Sequence, residues 1–289
     1  MIERTLTGEP PLTRLPRGTV DTQMHMYLPG FEAEPGGPPL PGGDLPGPEA
    51  YRKVMDWLGI DQVVITQGNA HQRNNANLIA CLEAMGDIAR GVAVIGPDTD
   101  TARMRSLTDE GVVGARIMDL PGGAVGLADL EAVDRLAADH GWMLALQFDG
   151  SSILDHESRL ASLRSRWVLD HHGKFFGGAT PDGPQIAAVR RLMDTGRCWF
   201  KFAGVYESSR SGAPHYEDVA AVARTLASHA PERIVWGTNW PHNLAKTTED
   251  YPDDRALTDT VLSWFPDEEG RRRALVDNPR ELFGFPPIR

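Results

Sequence analysis

Arg233-Ile234-Val235-Trp236-Gly237-Thr238-Asn239-Trp240-Pro241-His242 is the stretch that decides the fold. It is a short apolar run that gives way to polar residues and then proline. A run of this kind reads as a strand buried on both faces, with its polar groups gathered at the C-terminal end. Seven similar runs precede it, at 18–25, 61–67, 91–97, 114–120, 142–149, 166–173 and 198–204. Helix-like segments lie between them, for example 48–59, 127–141, 183–196 and 216–230. Several of these start at Pro or an acidic residue and stop at Gly, the expected helix start and stop signals. Continuous apolar strands alternating with helices imply a parallel sheet, and eight such units close into an α/β (β/α)8 TIM barrel spanning residues 1–289 as a single domain. A doubly wound sheet is the alternative, but no Gly-x-Gly-x-x-Gly turn follows the first strand.

Residues 29–48 hold 13 Gly or Pro in 20 positions. This long Gly/Pro-rich loop after strand 1 would lie over the barrel mouth, where long loops in compact domains are usually functional. A disordered linker is the other reading. The net charge of −11 argues against nucleic acid as a partner. It does not exclude a small anion, because a local cationic pocket can override the global field. No apolar run is long enough for a membrane span, and two scattered cysteines, Cys81 and Cys198, suggest a reducing compartment. The expected location is cytoplasmic, with no membrane partner.

In a barrel of this type the residues at the C-terminal strand ends are the catalytic candidates. Strand 1 offers Gln23 and His25, two apart and so on one face. Strand 2 runs into Gln67, Asn69 and His71, strand 4 carries Arg116, and strand 5 offers Gln147. Strand 6 gives His171, His172 and Lys174; strand 7 gives Lys201 with Tyr206 beyond it; strand 8 gives Asn239 and His242. Five of the nine histidines lie at these ends. Alternation along strand 6 puts Asp170 and His172 on one face, which makes His171 the lumen residue. A lysine between aromatics, as at Lys201, is costly to bury unless paired or functional. Arg116 could instead be an ion-pair partner, and His71 and His242 could cap backbone groups. The available donors are mostly neutral amides, which suits neither zinc nor a hard cation, so no metal and no other cofactor is expected. No Gly-x-Ser-x-Gly nucleophile elbow is present.

The runs GTVDTQMHMYLPG (18–30), QGNAHQR (67–73), GARIMDLPGGAV (114–125), DHHGKFF (170–176), KFAGVYESSR (201–210) and WGTNWPHN (236–243) carry a resemblance that covers nearly the whole chain. The chain resembles the amidohydrolase superfamily, in its metal-independent branch of lactone-processing enzymes related to 2-pyrone-4,6-dicarboxylate lactonase. Within that branch it is similar to enzymes that isomerise sugar-acid lactones. Members of the superfamily open with His-x-His and close with Asp on the last strand. Here those positions hold Gln23 and Asn239, and an amide is a poor proton acceptor. The resemblance therefore implies isomerisation of an anionic sugar-acid lactone without water.

On that reading His171 is the acid/base, while His25 and Lys201 hold the carbonyl oxygen as charge develops. Arg116 or Lys174 clamps the substrate carboxylate. Gln23, Asn69, Gln147 and Asn239 bond sugar hydroxyls, with Tyr206 and His242 also lining the site. A metal-free lactonase and a non-catalytic sugar-acid binder stay open as alternatives.

Overall fold

The computed structural model describes residues 2–288. Eight parallel strands follow one another in sequence order: β1 Val20–Met24, β2 Gln62–Thr66, β3 Ala89–Ala93, β4 Val112–Met118, β5 Met143–Gln147, β6 Trp167–Leu169, β7 Cys198–Phe202 and β8 Ile234–Trp236. Helices α1 (Pro48–Leu58), α2 (Ala76–Met85), α3 (Thr101–Asp109), α4 (Leu130–Asp139), α5 (Ile153–Ala161), α6 (Pro184–Asp194), α7 (Glu217–His229) and α8 (Asp254–Leu262) come after the strands in turn. The ring nearly closes where the chain beyond β8 meets β1. Met24 bridges Trp240 in parallel, the Asn239 amide donates to the Gln23 carbonyl, and the His25 amide donates to the Trp240 carbonyl, both at 2.8 Å. Gly237 is required at this seam, because a Cβ there would lie 2.6 Å from both Gln23 Cβ and Gln23 N. The result is a (β/α)8 barrel.

Two apolar layers follow from the two faces of each strand. Outward residues such as Ile65, Ile117, Leu144 and Phe200 pack against the helices. Inward residues Val20, Val64, Val92, Ala145, Val168, Trp199 and Val235 fill the barrel floor, plugged from below by Leu282, Phe283 and Phe285 of the C-terminal segment. Two residues further along a strand the same inward face turns polar. Val64 leads to Thr66, Ala145 to Gln147, Val168 to Asp170 and Trp199 to Lys201. The functional layer therefore rests on a packed apolar floor.

The strands are shorter than the sequence suggests at their C-terminal ends. β6 stops at Leu169 and β8 at Trp236, so His171, His172, Lys174, Asn239 and His242 belong to turns. All five have left-handed backbone, with φ of 48°, 52°, 43°, 64° and 57°. This corrects the strand-alternation argument at 170–172. Once the chain leaves extended geometry, neighbouring side chains need not alternate, and Asp170 and His171 both reach the lumen. His172 turns outward to stack on Phe202 at 5.0 Å, beside Trp264. The Gly/Pro-rich segment after β1 is placed over the barrel mouth, held by Arg4, whose guanidinium donates to the Asp44 and Gly42 carbonyls at 2.9 and 3.0 Å.

Candidate active site

Arg116 is only 4% exposed, yet every group bonded to it is neutral. Nη1 donates to the Gln67 carbonyl at 3.0 Å and to Asn69 Oδ1 at 2.8 Å, and Nη2 donates to Gln147 Oε1 at 2.7 Å. No carboxylate lies within ion-pair distance of it among the described residues. Burial lowers the guanidinium's pKa, opposed by the Asp170 charge. The buried guanidinium is held by neutral groups, and none of its contacts compensates its charge. Asn69 and Gln147, read from sequence as hydroxyl binders, spend their amide oxygens on positioning this guanidinium.

Beside it, His25 donates from Nδ1 to the Thr66 carbonyl at 2.8 Å, since a carbonyl oxygen can only accept. In the neutral ring Nε2 therefore carries a lone pair. Burial and the nearby Arg116 charge push the imidazole pKa down to about 3. His25 thus offers an accepting nitrogen at Nε2.

Lys201 is 1% exposed and donates to Gln23 Oε1 at 2.8 Å. Its ammonium also lies 3.2 Å from Asp170 Oδ1. Burial lowers its pKa, and Asp170 opposes the shift. Burial would likewise raise the Asp170 carboxyl, but Lys201, His171 and Arg116 together hold it well below the usual aspartate range. With Gln23 and Asp170 taking two hydrogens, the third ammonium hydrogen remains for a ligand oxygen. Asp170 was not among the residues singled out from sequence. Its signal was present, because it stands two residues beyond the floor residue Val168 on the same face.

His171 and Asn239 meet across the lumen, with Nε2 3.1 Å from Oδ1. On its other side His171 Nδ1 lies 3.1 Å from Asp170 Oδ1, an ion-pair distance without hydrogen-bond alignment. The Asn239 amide nitrogen donates to Tyr206 Oη and to Glu207 Oε1, each at 2.8 Å. Gly204, at φ 58°, makes room for this meeting: a Cβ there would lie 2.7 Å from Asn239 Nδ2 and 3.0 Å from His171 Cδ2. Lys174 does not offer a free cation to a substrate, because its ammonium pairs with Glu207 Oε2. His242 is likewise engaged on both nitrogens, by Tyr206 Oη at 2.7 Å and Asp254 Oδ1 at 2.9 Å. Glu207 and Asp254 are the acids that sequence reasoning missed. Glu207 lies in the turn after β7 and Asp254 at the start of α8, both outside the strand-end positions.

A cavity of about 700 Å³ opens above this layer. His25, Asn69, Arg116 and His242 line its base, and residues 36–43 of the Gly/Pro-rich segment line its side. Lys201, His171, Gln23 and Asn239 form the buried layer beneath. The donor set does not fit a divalent cation. Gln23, at the position where a first ligand would stand, is a neutral amide whose oxygen accepts from the Lys201 ammonium. Among the described residues no three His, Cys, Asp or Glu side chains converge in a ligating group.

The chain is similar to known proteins along nearly its whole length. The chain is 60% identical over 286 residues to the D-galactarolactone isomerase of Agrobacterium fabrum, covering 99% of this chain and 98% of that one. It is 32% identical over 278 residues to the 4-sulfomuconolactone hydrolase of Hydrogenophaga intermedia, covering 93% and 90%. An apo crystal structure from Agrobacterium tumefaciens superposes with a TM-score of 0.97 at 60% identity, covering 99% of this chain and all of that one. Residues 20–285 match the family model described as amidohydrolase, and the chain belongs to the amidohydrolase family.

Proposed function

We propose that this protein is a D-galactarolactone isomerase that converts D-galactaro-1,5-lactone to D-galactaro-1,4-lactone. Arg116 carries the reading: a buried cation without a protein carboxylate is built for the one carboxylate of a monolactone. The high identity to an isomerase of this name supports the specific substrate. The reaction is an intramolecular acyl transfer. The 4-hydroxyl attacks the lactone carbonyl carbon, the bond from that carbon to the 5-oxygen breaks, and the 5-oxygen takes up a proton. No water is consumed, because the substrate supplies its own nucleophile at high effective concentration.

His25 Nε2 accepts the 4-hydroxyl proton and returns it to the neighbouring 5-oxygen, so one ring serves both steps. Its low pKa keeps it neutral at physiological pH. Its resting basicity is weak, and a substrate carboxylate on Arg116 offsets part of the charge that depresses it. Lys201 supplies a hydrogen toward the oxyanion, where one donor is worth roughly 3 kcal/mol. Asn239 replaces a carboxylate that would activate water. The reaction needs no metal and belongs to sugar-acid catabolism, of galacturonate and galactarate. The free, buried Cys81 and Cys198 suit a cytoplasmic enzyme.

The test is NMR of the 1,5-lactone with chelator-treated enzyme. The 1,4-lactone should appear before open-chain galactarate. Galactarate first, or activity only after metal is restored, would replace the isomerase by a lactonase.

A further inference from the structure

We infer that Glu207 and Asp254 are positioning residues that orient the Asn239 amide and so place a hydrogen on His171 Nε2. The two ends of an asparagine amide are nearly identical in shape, and only its partners decide which end is oxygen. Around Asn239 those partners are decisive. Glu207 Oε1 lies 2.8 Å from Asn239 Nδ2. A carboxylate can only accept, so the amide must present its nitrogen there. The Glu207 side chain is 10% exposed, and its other oxygen accepts from Lys174.

A second carboxylate gives the same instruction by a longer route. Asp254 Oδ1 accepts from His242 Nε2 at 2.9 Å, so Nε2 bears the hydrogen and Nδ1 the lone pair. The Tyr206 hydroxyl, 2.7 Å from that nitrogen, must then donate to it. Its oxygen is left to accept from Asn239 Nδ2 at 2.8 Å. Both amide hydrogens are thereby committed, one toward each carboxylate. Asn239 Oδ1 is the end that faces His171 Nε2, and an oxygen there requires a hydrogen on the ring.

The consequence for the reaction rests on the isomerase reading. His171 cannot use Nε2 to take a proton from a hydroxyl, and its Nδ1 is turned to Asp170. Its Nε2 hydrogen is given to Asn239 Oδ1, which leaves proton acceptance to His25. Neither Glu207 nor Asp254 itself lines the cavity, so both act through Asn239.

The experiment is nitrogen-15 NMR of histidine-labelled protein at neutral pH, assigned with His171→Gln and His242→Gln variants, together with turnover of the 1,5-lactone. In the unmodified enzyme Nε2 of both His171 and His242 should be a hydrogen-bearing nitrogen. Glu207→Gln should shift the His171 Nε2 resonance and lower kcat roughly tenfold or more, while KM stays within about threefold. A His171 Nε2 without hydrogen in the unmodified enzyme overturns the inference. So does a folded Glu207→Gln protein with unchanged His171 resonances and kcat. If loss of the Lys174 partner prevents folding, Asp254→Asn tests the other branch: His242 and His171 should both shift, and unchanged spectra would overturn the inference. The spectra decide the hydrogen positions whether or not the lactone is isomerised, so failure of the proposed activity would show separately in the turnover of the unmodified enzyme.

Discussion

Arg116 on β4 and Gln147 on β5, which lies two residues beyond Arg116's register partner Ala145, are joined by a 2.7 Å hydrogen bond from guanidinium Nη2 to amide Oε1. With Asn69 on the opposite flank, this holds the planar fork in one orientation and supplies no negative charge to neutralise it. Arg116→Lys keeps a charge but loses the fork. We expect KM for the 1,5-lactone to rise roughly tenfold or more with a smaller change in kcat. Steady-state kinetics checks this, and an unchanged KM would remove Arg116 from carboxylate binding.

His25→Gln removes the accepting nitrogen at the cavity base. Turnover should fall by about 10²-fold in a protein with native circular dichroism. If His171→Ala loses that much while His25→Gln does not, the proton-accepting role returns to His171.

Asn239→Asp places a carboxyl within reach of Glu207 and His171, and it removes the two hydrogens that the amide donates. It should divert part of the lactone to the open diacid. Product NMR measures the ratio of galactarate to 1,4-lactone, and no added galactarate would show that Asn239 is not what spares water.

Asp170→Asn takes from Lys201, a fully buried ammonium, its one ion-pair partner among the described residues. Breaking a buried pair from one side costs about 3–5 kcal/mol. Chemical denaturation should show a loss of this order, and a stability within experimental error of the parent would mean that Lys201 is not dependent on the pair.

His172 has both ring nitrogens buried without partners among Phe200, Phe202 and Trp264, and burial pushes its pKa down to about 3. His25 is depressed similarly. Unfolded histidine gains its proton near pH 6.5 and the folded ring only near 3, so the unfolded state binds more protons between these values. Stability is therefore complete above about pH 6.5 and falls as pH drops, by up to about 1.4 kcal/mol per pH unit for each ring. His172→Phe should flatten this slope whatever it does to the midpoint. Denaturation curves from pH 6.5 to 4 with an unchanged slope would contradict it.

Strand order and the polar positions Gln23, His25, Arg116, Gln147 and Lys201 were legible from sequence, because period-2 alternation in a buried strand is a local property and each unit repeats it. Asp170 obeys the same rule counted from Val168, but it was paired with His172 on the outer face, and alternation fails at His171 and His172, where the backbone turns left-handed. Lys174 was read as a free cation because a sequence names the donor and not its acceptor. Glu207 lies 33 residues from Lys174, and that pairing exists only once the loops after β6 and β7 are brought together.

The sequence by itself determined the eight βα units, the apolar floor and the replacement of a proton-accepting carboxylate by Asn239, since these depend on residue type and short-range spacing. Only the tertiary structure decided which hydrogens those residues carry. Closure of the barrel sets His25 against the Thr66 carbonyl, Arg116 against neutral oxygens and Asn239 between two carboxylate chains. In a buried site the donor or acceptor state of each group is imposed by its partner across the lumen, and no local stretch of sequence contains that partner.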